Sequence, residues 1–202
     1  DTANLRPHLI HFNRCENIRI EGFSIENSPF WTIHTYLCKN VLLRKLNVYA
    51  HGHNNDGYDP EMTQNVLVEH CVFDQGDDAI AVKSGRDHEA WRLATPTRNV
   101  VIRNCEVKNG HQLLAIGSEL SGGIKNVYMT NCNVAPNAKM FHLVFIKTNE
   151  RRGGFVRNII VENVNAGNVS EGILGIETDV LYQWRTLMPT YDRVLTPISK
   201  VR

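Results

Sequence analysis

The chain has 202 residues, of which 42% are hydrophobic and 8% are aromatic, and its formal net charge is +1. This length supports one sizeable hydrophobic core without demanding a second domain. The near-neutral charge gives no indication of a nucleic-acid partner, and no stretch of the sequence is apolar enough to cross a membrane. We expect one domain over residues 1–202, with neither nucleic acid nor a membrane among its partners.

An asparagine followed by alternating apolar and polar residues recurs along the chain. Alternation with a period of two residues predicts a half-buried β-strand. Successive repeats begin 23 to 34 residues apart, which we interpret as one solenoid turn with loops of different length inserted. The repeats are NIRIEGFSI from Asn17, NVLLRKLNV from Asn40, NVLVEHCVF from Asn65, NVVIRNCEV from Asn99, NVYMTNCNV from Asn126 and NIIVENVNA from Asn158.

A second predicted strand comes later in the turns, as WTIHTY, AIAVKS, LLAIGS, LVFIKT and ILGIET. No segment shows a convincing helical period. Short strands at regular intervals with no helix between them predict an all-β fold, a right-handed parallel β-helix. Neither end of the chain resembles the polar cap that a solenoid needs. We therefore expect the central part of a longer domain, with any targeting peptide removed.

The five cysteines occupy equivalent positions in this repeat. Cys71, Cys105 and Cys132 follow their asparagines by six residues, whereas Cys15 and Cys38 precede theirs by two. Their odd number and the lack of a C-x-x-C pair indicate neither a zinc site nor a complete disulfide framework. We interpret them as free thiols in the core, and the repeat asparagines as a ladder of side-chain hydrogen bonds at a turn.

Two adjacent carboxylates, Asp77 and Asp78, lie between a glycine and an apolar strand in FDQGDDAIAVKSG. Aligning this stretch with VKNGHQLLAIGSE of the next turn sets His111 beside Asp77, at the spacing of about 4.8 Å between neighbouring strands. The preceding turn brings Asp56 level with Asp78, and the following turn brings Lys147 to the same wall. We predict a groove on one face of the solenoid that gathers these five side chains.

Clustered carboxylates admit more than one chemistry. Like charges at close range raise the pKa of one member, so one acid can stay protonated beside ionised neighbours. A neutral acid next to an ionised base is the requirement for cleaving a glycosidic bond. Acids on β-helix turns can also bind Ca²⁺ or cap strand ends, and the spacing alone leaves these alternatives open.

Four short blocks in chain order resemble those of a known family. NND at 54–56, GDD at 76–78, GH at 110–111 and IK at 146–147 are similar to the N-T-D, G-D-D, G-H-G and R-I-K blocks of glycoside hydrolase family 28, the polygalacturonases. The resemblance extends from about Pro7 to Lys200, and it looks most like the bacterial exo-acting branch.

The resemblance implies inverting hydrolysis of α-1,4-galacturonosyl linkages in pectin, with no cofactor and no metal, by a secreted or periplasmic enzyme. Asp77 would be the general acid, and Asp56 and Asp78 would activate the attacking water. His111 would tune the charge state of Asp77, and Lys147 would bind the substrate carboxylate. Inversion requires an acid and a base roughly 6.5–9.5 Å apart, so that water fits between them.

Two positions depart from the family pattern. Phe145 replaces the arginine of R-I-K, which removes a bidentate carboxylate contact, and we expect Arg151 or Arg152 to supply it. Gln112 replaces the second glycine of G-H-G and is expected to narrow the groove. A calcium-dependent pectate lyase and a non-catalytic glycan-binding solenoid remain as alternative functions.

Several aromatic and imidazole side chains are candidates for sugar contact. Trp91 lies in an insertion, where it either stacks on a sugar ring or pins the loop to the solenoid. His142 is a further candidate near the groove, and Tyr182 and Trp184 are candidate stacking residues that are more often used for packing.

Overall fold

The computed structural model describes residues 6–180 and 191–202, and within these ranges the chain is a right-handed parallel β-helix, as predicted. Every strand pairing is parallel. No helix in the described ranges has the length and apolarity to cross a membrane.

The strands are short, and each turn of the solenoid contributes about three of them. Their bounds are β1 Ile10–Asn13, β2 Glu16–Glu21, β3 Ser24–Glu26, β4 Ile33–Tyr36, β5 Lys39–Arg44, β6 Asn47–Ala50, β7 Tyr58–Glu61, β8 Gln64–Glu69, β9 Val72–Gln75, β10 Ile80–Val82, β11 Thr97–Arg103, β12 Glu106–Asn109, β13 Gln112–Gly117, β14 Ile124–Val134, β15 His142–Lys147, β16 Val156–Asn165, β17 Gly172–Glu177 and β18 Ile198–Val201.

Stacking of equivalent strands builds three walls. One wall is a sheet in the order β1-β4-β7-β10-β13-β15-β17. The second stacks β2, β5, β8, β11, β14, β16 and β18, and the third stacks β3, β6, β9 and β12 onto the far end of the long strand β14. The interior between the walls is filled by branched aliphatic side chains such as Ile33, Leu43 and Ile102, which are fully buried.

The register of the first wall agrees with the alignment made from the sequence. Ile80 pairs with Leu114 across β10 and β13, and Gly117 pairs with Lys147 across β13 and β15. Residues that occupy equivalent positions in successive turns therefore lie side by side on this wall. The same wall carries most of the side chains that were predicted to share a groove.

The repeat asparagines form the predicted ladder. Each adopts a left-handed backbone conformation, with φ between 56° and 61°. After the first of them, each side-chain amide donates to the Oδ1 of the asparagine one turn earlier, over 3.0 to 3.1 Å. Asparagine tolerates this conformation better than other residues with a Cβ, so the ladder explains why the residue recurs. Its members are Asn17, Asn40, Asn65, Asn99, Asn126 and Asn158.

The cysteines are free thiols, as predicted, and four of the five are buried in the core. Cys15 is partly exposed at the first turn. Hydrogen bonds from both neighbours and burial raise the pKa of the Cys105 thiol, which stacks between Cys71 and Cys132. The stacked cysteines therefore fill the core as small buried side chains in successive turns.

The expectation that no helix interrupts the solenoid is wrong at one segment. Residues Asp87–Leu93 form helix α1, which lies in the 34-residue turn between Asn65 and Asn99. The helix ends at Ala94, whose backbone is left-handed and whose N–H donates to the carbonyl of Ala90. Only Ala90 of the helix is fully buried, so the apolar period that reveals longer helices is missing.

We expect Asn99→Ala to destabilise the fold by about 2 kcal/mol, because it removes two ladder hydrogen bonds and forces alanine into a left-handed conformation. Asn99→Gly removes the same bonds without the backbone penalty and is expected to cost about 1 kcal/mol less. Urea denaturation of both variants measures the difference. Equal losses of unfolding free energy in the two variants would show that the left-handed backbone conformation does not penalise alanine here, which would contradict this explanation.

Candidate active site

The first wall presents a pocket of about 470 Å³ at one side of the solenoid. Asp56, Asp77 and Asp78 lie directly before β7 and β10, and Lys147 ends β15. Four of the five side chains predicted to share a groove therefore line one pocket, and His111 contacts it through Asp77. The lining residues are Phe30, Trp31, Asn54, Asp56, Asp77, Asp78, Lys83, Arg86, Ser118, Glu119, Lys147, Glu177 and Val180.

The bend before the paired acids depends on a close approach of two backbones. A Cβ added to Gly76 would lie 2.7 Å from the carbonyl oxygen of Gly52 in the preceding turn. Only glycine fits at such a distance, so the chain can turn here and direct Asp77 toward the pocket. The Asp78 N–H then donates to Asp77 Oδ1 over 3.0 Å.

Asp77 and His111 form a pair, as the alignment of the two turns predicted. His111 Nδ1 lies 3.1 Å from Asp77 Oδ1, and the His111 backbone N–H donates to the Asp77 carbonyl over 2.8 Å. The hydrogen bond to Asp77 raises the pKa of His111, although burial opposes it. Burial alone would raise the pKa of Asp77, but the His111 bond and the charges of His111 and Lys147 lower it.

Asp78 is nearly fully buried, with 1% of its surface exposed, and its partner is Lys147. The Lys147 ammonium donates to Asp78 Oδ2 over 2.8 Å. Burial would lower the pKa of Lys147, but the charge of Asp78 raises it. Lys147 therefore enters the pocket as a cation that already has one carboxylate partner.

A second lysine, which was not selected from the sequence, lies at the floor of the pocket. The Lys83 ammonium is 3.2 Å from Glu119 Oε2, 3.6 Å from Asp59 Oδ1 and 3.8 Å from Asp56 Oδ2. It also lies 4.4 Å from the ring centroid of Trp31. Burial opposes its charge, but the three carboxylates outweigh burial and raise the pKa of Lys83 well above its ordinary value.

The carboxyl groups around Lys83 differ in their protonation. Burial raises the pKa of Asp56 to about 7, against the opposing charge of Lys83. Burial, with the charge of Asp56, also raises the pKa of Asp59 well above its ordinary value. The sequence predicts one protonated acid in the cluster. In the free protein the pKa values of Asp56 and Asp59 are raised, whereas the pKa of Asp77 is lowered.

Arg86 is the guanidinium that lines the pocket. It donates to Glu119 Oε1 over 2.6 Å, and 59% of its side chain is exposed. Burial would raise the pKa of Glu119, but Lys83 and Arg86 lower it, so this carboxylate is ionised between two cations. Arg86 therefore presents its free face to the pocket.

Arg151 and Arg152 bind Asp87, the first residue of α1. Arg151 Nε lies 3.2 Å from Asp87 Oδ2, and an Arg152 terminal nitrogen lies 2.9 Å from Oδ1. Arg152 also donates from Nε to the Ser118 carbonyl over 2.8 Å. Both side chains are buried and neither is among the residues lining the pocket. These bonds anchor the inserted helix to the solenoid. The contact of Arg151 and Arg152 with substrate, which the sequence predicts, stays a prediction.

The remaining candidates in the described part of the chain are not among the residues that line the pocket. Trp91 donates from its ring N–H to the Arg152 carbonyl over 3.0 Å, as expected of a residue that pins α1 to the solenoid. Gln112 pairs with His142 across β13 and β15, and both side chains are buried. The His142 ring stacks on the Phe145 ring, with 4.5 Å between the ring centroids. Tyr182 and Trp184 lie outside the described residues.

The sequence held a signal for Lys83 and Asp59 that alternation could have revealed. Tyr58 and Ile80 are paired and face the core, so Asp59 lies beside Ala81 on the opposite face. Lys83 is two residues beyond Ala81 and shares that face. Polar residues at outward positions of this wall therefore converge on the groove.

Comparison with known proteins identifies the class. Residues 1–194 match the model of glycosyl hydrolases family 28. The chain is 35% identical over 162 residues to a probable polygalacturonase of Vitis vinifera, covering 79% of this chain and 32% of that protein. It is 27% identical over 179 residues to an endo-polygalacturonase of Pectobacterium carotovorum subsp. carotovorum, covering 88% of this chain and 41% of the relative.

A solved structure agrees with these relatives. The crystal structure of a hyperthermoactive exopolygalacturonase from Thermotoga maritima superposes with a TM-score of 0.86 at 35% identity, over 97% of this chain and 44% of the other. The parallel β-helix and its carboxylate pocket thus define a glycoside hydrolase class. The chain belongs to glycosyl hydrolases family 28, and it spans between about a third and a half of the length of these relatives.

We expect Lys83→Met to destabilise the protein by about 3–5 kcal/mol, because it leaves buried carboxylates without their cation. The loss of unfolding free energy grows with pH. Without Lys83, the pKa values of Asp56 and Asp59 in the folded protein rise further above their values in the unfolded chain. The stability that the variant retains at low pH is therefore lost as the pH rises. Urea denaturation at pH 5 and pH 8 measures the effect. Lys108→Met, at an exposed position of β12, is the matched control. A loss that is equal at both pH values would contradict this explanation.

Proposed function

We propose that this chain is the hydrolytic part of a polygalacturonase, which cleaves α-1,4-galacturonosyl linkages of pectin with inversion and releases units from the chain end. The observation that carries the proposal is the Asp77–His111 pair, with Asp56 and Asp78 in the same pocket. Three carboxylates and an imidazole supply both an acid and a base without a cofactor.

Asp77 is proposed as the general acid, and it acts with His111 as a unit. Two groups joined by a hydrogen bond share a proton, and the pair loses it at an apparent pKa of its own. Because Asp77 raises the pKa of His111, the pair retains one proton above the pH at which an isolated carboxyl would lose it. In the free protein the lowered pKa of Asp77 places that proton on His111, so we propose that it passes through Asp77 to the leaving oxygen.

Asp56 and Asp78 are proposed to hold and activate the attacking water. Asp78 forms an ion pair with Lys147, and Asp56 becomes ionised as the pH rises through about 7. We propose Asp78, which accepts from the Lys147 ammonium, as the base, with Asp56 orienting the same water. Inversion results if that water lies on the face of the sugar opposite Asp77.

The cations of the pocket suit an acidic sugar. Lys147 and Arg86 both line the pocket, and Arg86 retains an exposed face. We propose that Lys147 binds the galacturonate carboxylate and that Arg86 supplies the guanidinium which is missing at Phe145. Planar guanidinium groups hold carboxylates by two parallel hydrogen bonds.

Lysine ammonium groups lie among the carboxylates that a calcium-dependent lyase would need as ligands for its ion. Asp78 is paired with Lys147, and Lys83 lies among Asp56, Asp59 and Glu119. A Ca²⁺ ion takes six to eight oxygen ligands, and the ammonium groups compete for these oxygens. Because the ammonium groups compete with Ca²⁺, we propose hydrolysis in preference to the lyase reaction. The exo mode is proposed from the similarity to the Thermotoga maritima exopolygalacturonase. An extracellular or periplasmic location is proposed from membership of glycosyl hydrolases family 28.

We expect the protein, incubated with polygalacturonate without added calcium, to release saturated galacturonides whose first-formed anomer is inverted. Proton NMR of the early products measures both properties. Asp77→Asn is expected to lower kcat by about 10²–10⁴-fold, the usual contribution of a general acid. Asp192→Asn, an exposed carboxylate outside the pocket, should leave kcat unchanged.

Two outcomes would contradict the proposal. An unsaturated, calcium-dependent product would assign the chain to the lyases, and full activity of Asp77→Asn would remove Asp77 as the acid. The exo mode is measured separately, since an exo enzyme produces many reducing ends before the viscosity of the polymer falls. An early collapse of viscosity would instead indicate internal cleavage.

A further inference from the structure

Three histidines lie together at the first turns of the solenoid, next to the proposed active site. His8 precedes β1, His11 lies in β1 and His34 lies in β4, where the register pairs it with His11. Each offers one ring nitrogen, and the three nitrogens lie within 4.8 Å of one another. They were not grouped from the sequence, because they come together only when the turns stack.

A hydrogen bond to a carboxylate prepares one of these nitrogens, His34 Nδ1, to bind a metal. His34 Nε2 lies 2.8 Å from Glu61 Oε2, so the tautomer that donates to this carboxylate leaves a lone pair on Nδ1. His34 Nδ1 in turn lies 3.0 Å from His11 Nδ1. A carboxylate behind a metal-binding histidine fixes the ring and raises its basicity in zinc sites.

The third histidine has a buried nitrogen without a protein partner. Within the described residues no hydrogen bond reaches His8 Nδ1, although the atom is buried. Such a group is costly unless something satisfies it. The His8 ring lies edge-on to His34, at 4.5 Å between ring centroids, and stacks on Trp31 at 5.1 Å, so packing fixes it beside the other two.

We infer that His8, His11 and His34 form a binding site for one imidazole-preferring divalent cation, of which Zn²⁺ is the probe. Zinc with nitrogen ligands at about 2.0–2.1 Å in tetrahedral geometry requires nitrogens about 3.3–3.4 Å apart. The 3.0 Å between His11 and His34 therefore needs to widen by only a few tenths of an ångström. His11 lies at an exposed position of β1 and has room to move.

The fourth position of such a metal would face an open cavity. His11, His34 and Glu61 line a cavity of about 480 Å³, which shares Trp31, Arg86 and Glu119 with the proposed active site. Three protein ligands with an open fourth position are the arrangement in which zinc accepts water or an anionic ligand. The site is separate from the catalytic acids and does not depend on the proposed hydrolysis.

We test the inference by isothermal titration of the metal-free full chain with ZnCl₂ at pH 7. One Zn²⁺ per chain is expected. His11→Gln should weaken the affinity by at least tenfold, and Glu61→Gln, which touches the metal only through His34, should weaken it about 10–100-fold. His70→Gln, an exposed histidine outside the cluster, is the matched control and should bind as the unchanged chain does. Circular dichroism and thermal denaturation of the variants without zinc check that they fold.

Asp77, Asp78 and His111 also bring potential ligand atoms within 4.8 Å of one another, so His111→Gln is included in the titration. It should retain the zinc affinity of the unchanged chain. Loss of binding in His111→Gln with retention in folded His11→Gln would overturn the inference, as would the failure of the metal-free chain to bind Zn²⁺. Binding itself is the readout, so the result is independent of whether polygalacturonate is hydrolysed.

Discussion

The pocket depends on one buried cation. Lys83 lies among Asp56, Asp59 and Glu119, and burial of so many carboxylates without a counter-charge would cost several kcal/mol each. Its ammonium lets the carboxylates stay close together. It also divides them: Glu119 is ionised with two cations, whereas Asp56 has a raised pKa. A single side chain thus supports the stability of the pocket and lowers the pKa of each carboxyl group beside it, while burial decides which of them stays raised.

The stacked sheet supplies the positions for this chemistry. Asp56, Asp77 and His111 come from three successive turns, and each lies just before a strand of the first wall. Parallel strands in register bring equivalent positions to the spacing of neighbouring strands, about 4.8 Å. The asparagine ladder on the second wall holds the same turns together at another side. Residues far apart in sequence therefore converge without a long connecting loop.

Features that derive from the repeat could be predicted from the sequence, whereas features that depend on side-chain pairing could not. The alignment of GDD with GHQ placed Asp77 beside His111, because the register of a β-helix is set by the alternation of core residues. The family blocks led to Asp78 and Lys147, whose contact the structure contains. The ladder of asparagines and the free cysteines were predicted on the same basis.

The features missed at the level of sequence arise from insertions and from pairs across turns. Helix α1 has seven residues and only one fully buried side chain, so its apolar period is too weak to read. Its first residue, Asp87, forms ion pairs with Arg151 and Arg152, which the sequence did not indicate. The balance of burial and charge that places the raised pKa on Asp56 requires distances to Lys83, which no motif contains.

Asp77 and His111 are proposed to share the proton that is delivered to the leaving oxygen. The pH dependence of kcat/KM on polygalacturonate, for the unchanged protein and for His111→Gln, tests this proposal most directly, because this profile reports the free protein. We expect an alkaline limb above pH 6.5 in the unchanged protein, since Asp77 raises the pKa of His111 from its ordinary value of 6.5. In His111→Gln the limb should move to lower pH, because Asp77 alone must then retain the proton. An alkaline limb at the same pH in both proteins would contradict the shared proton.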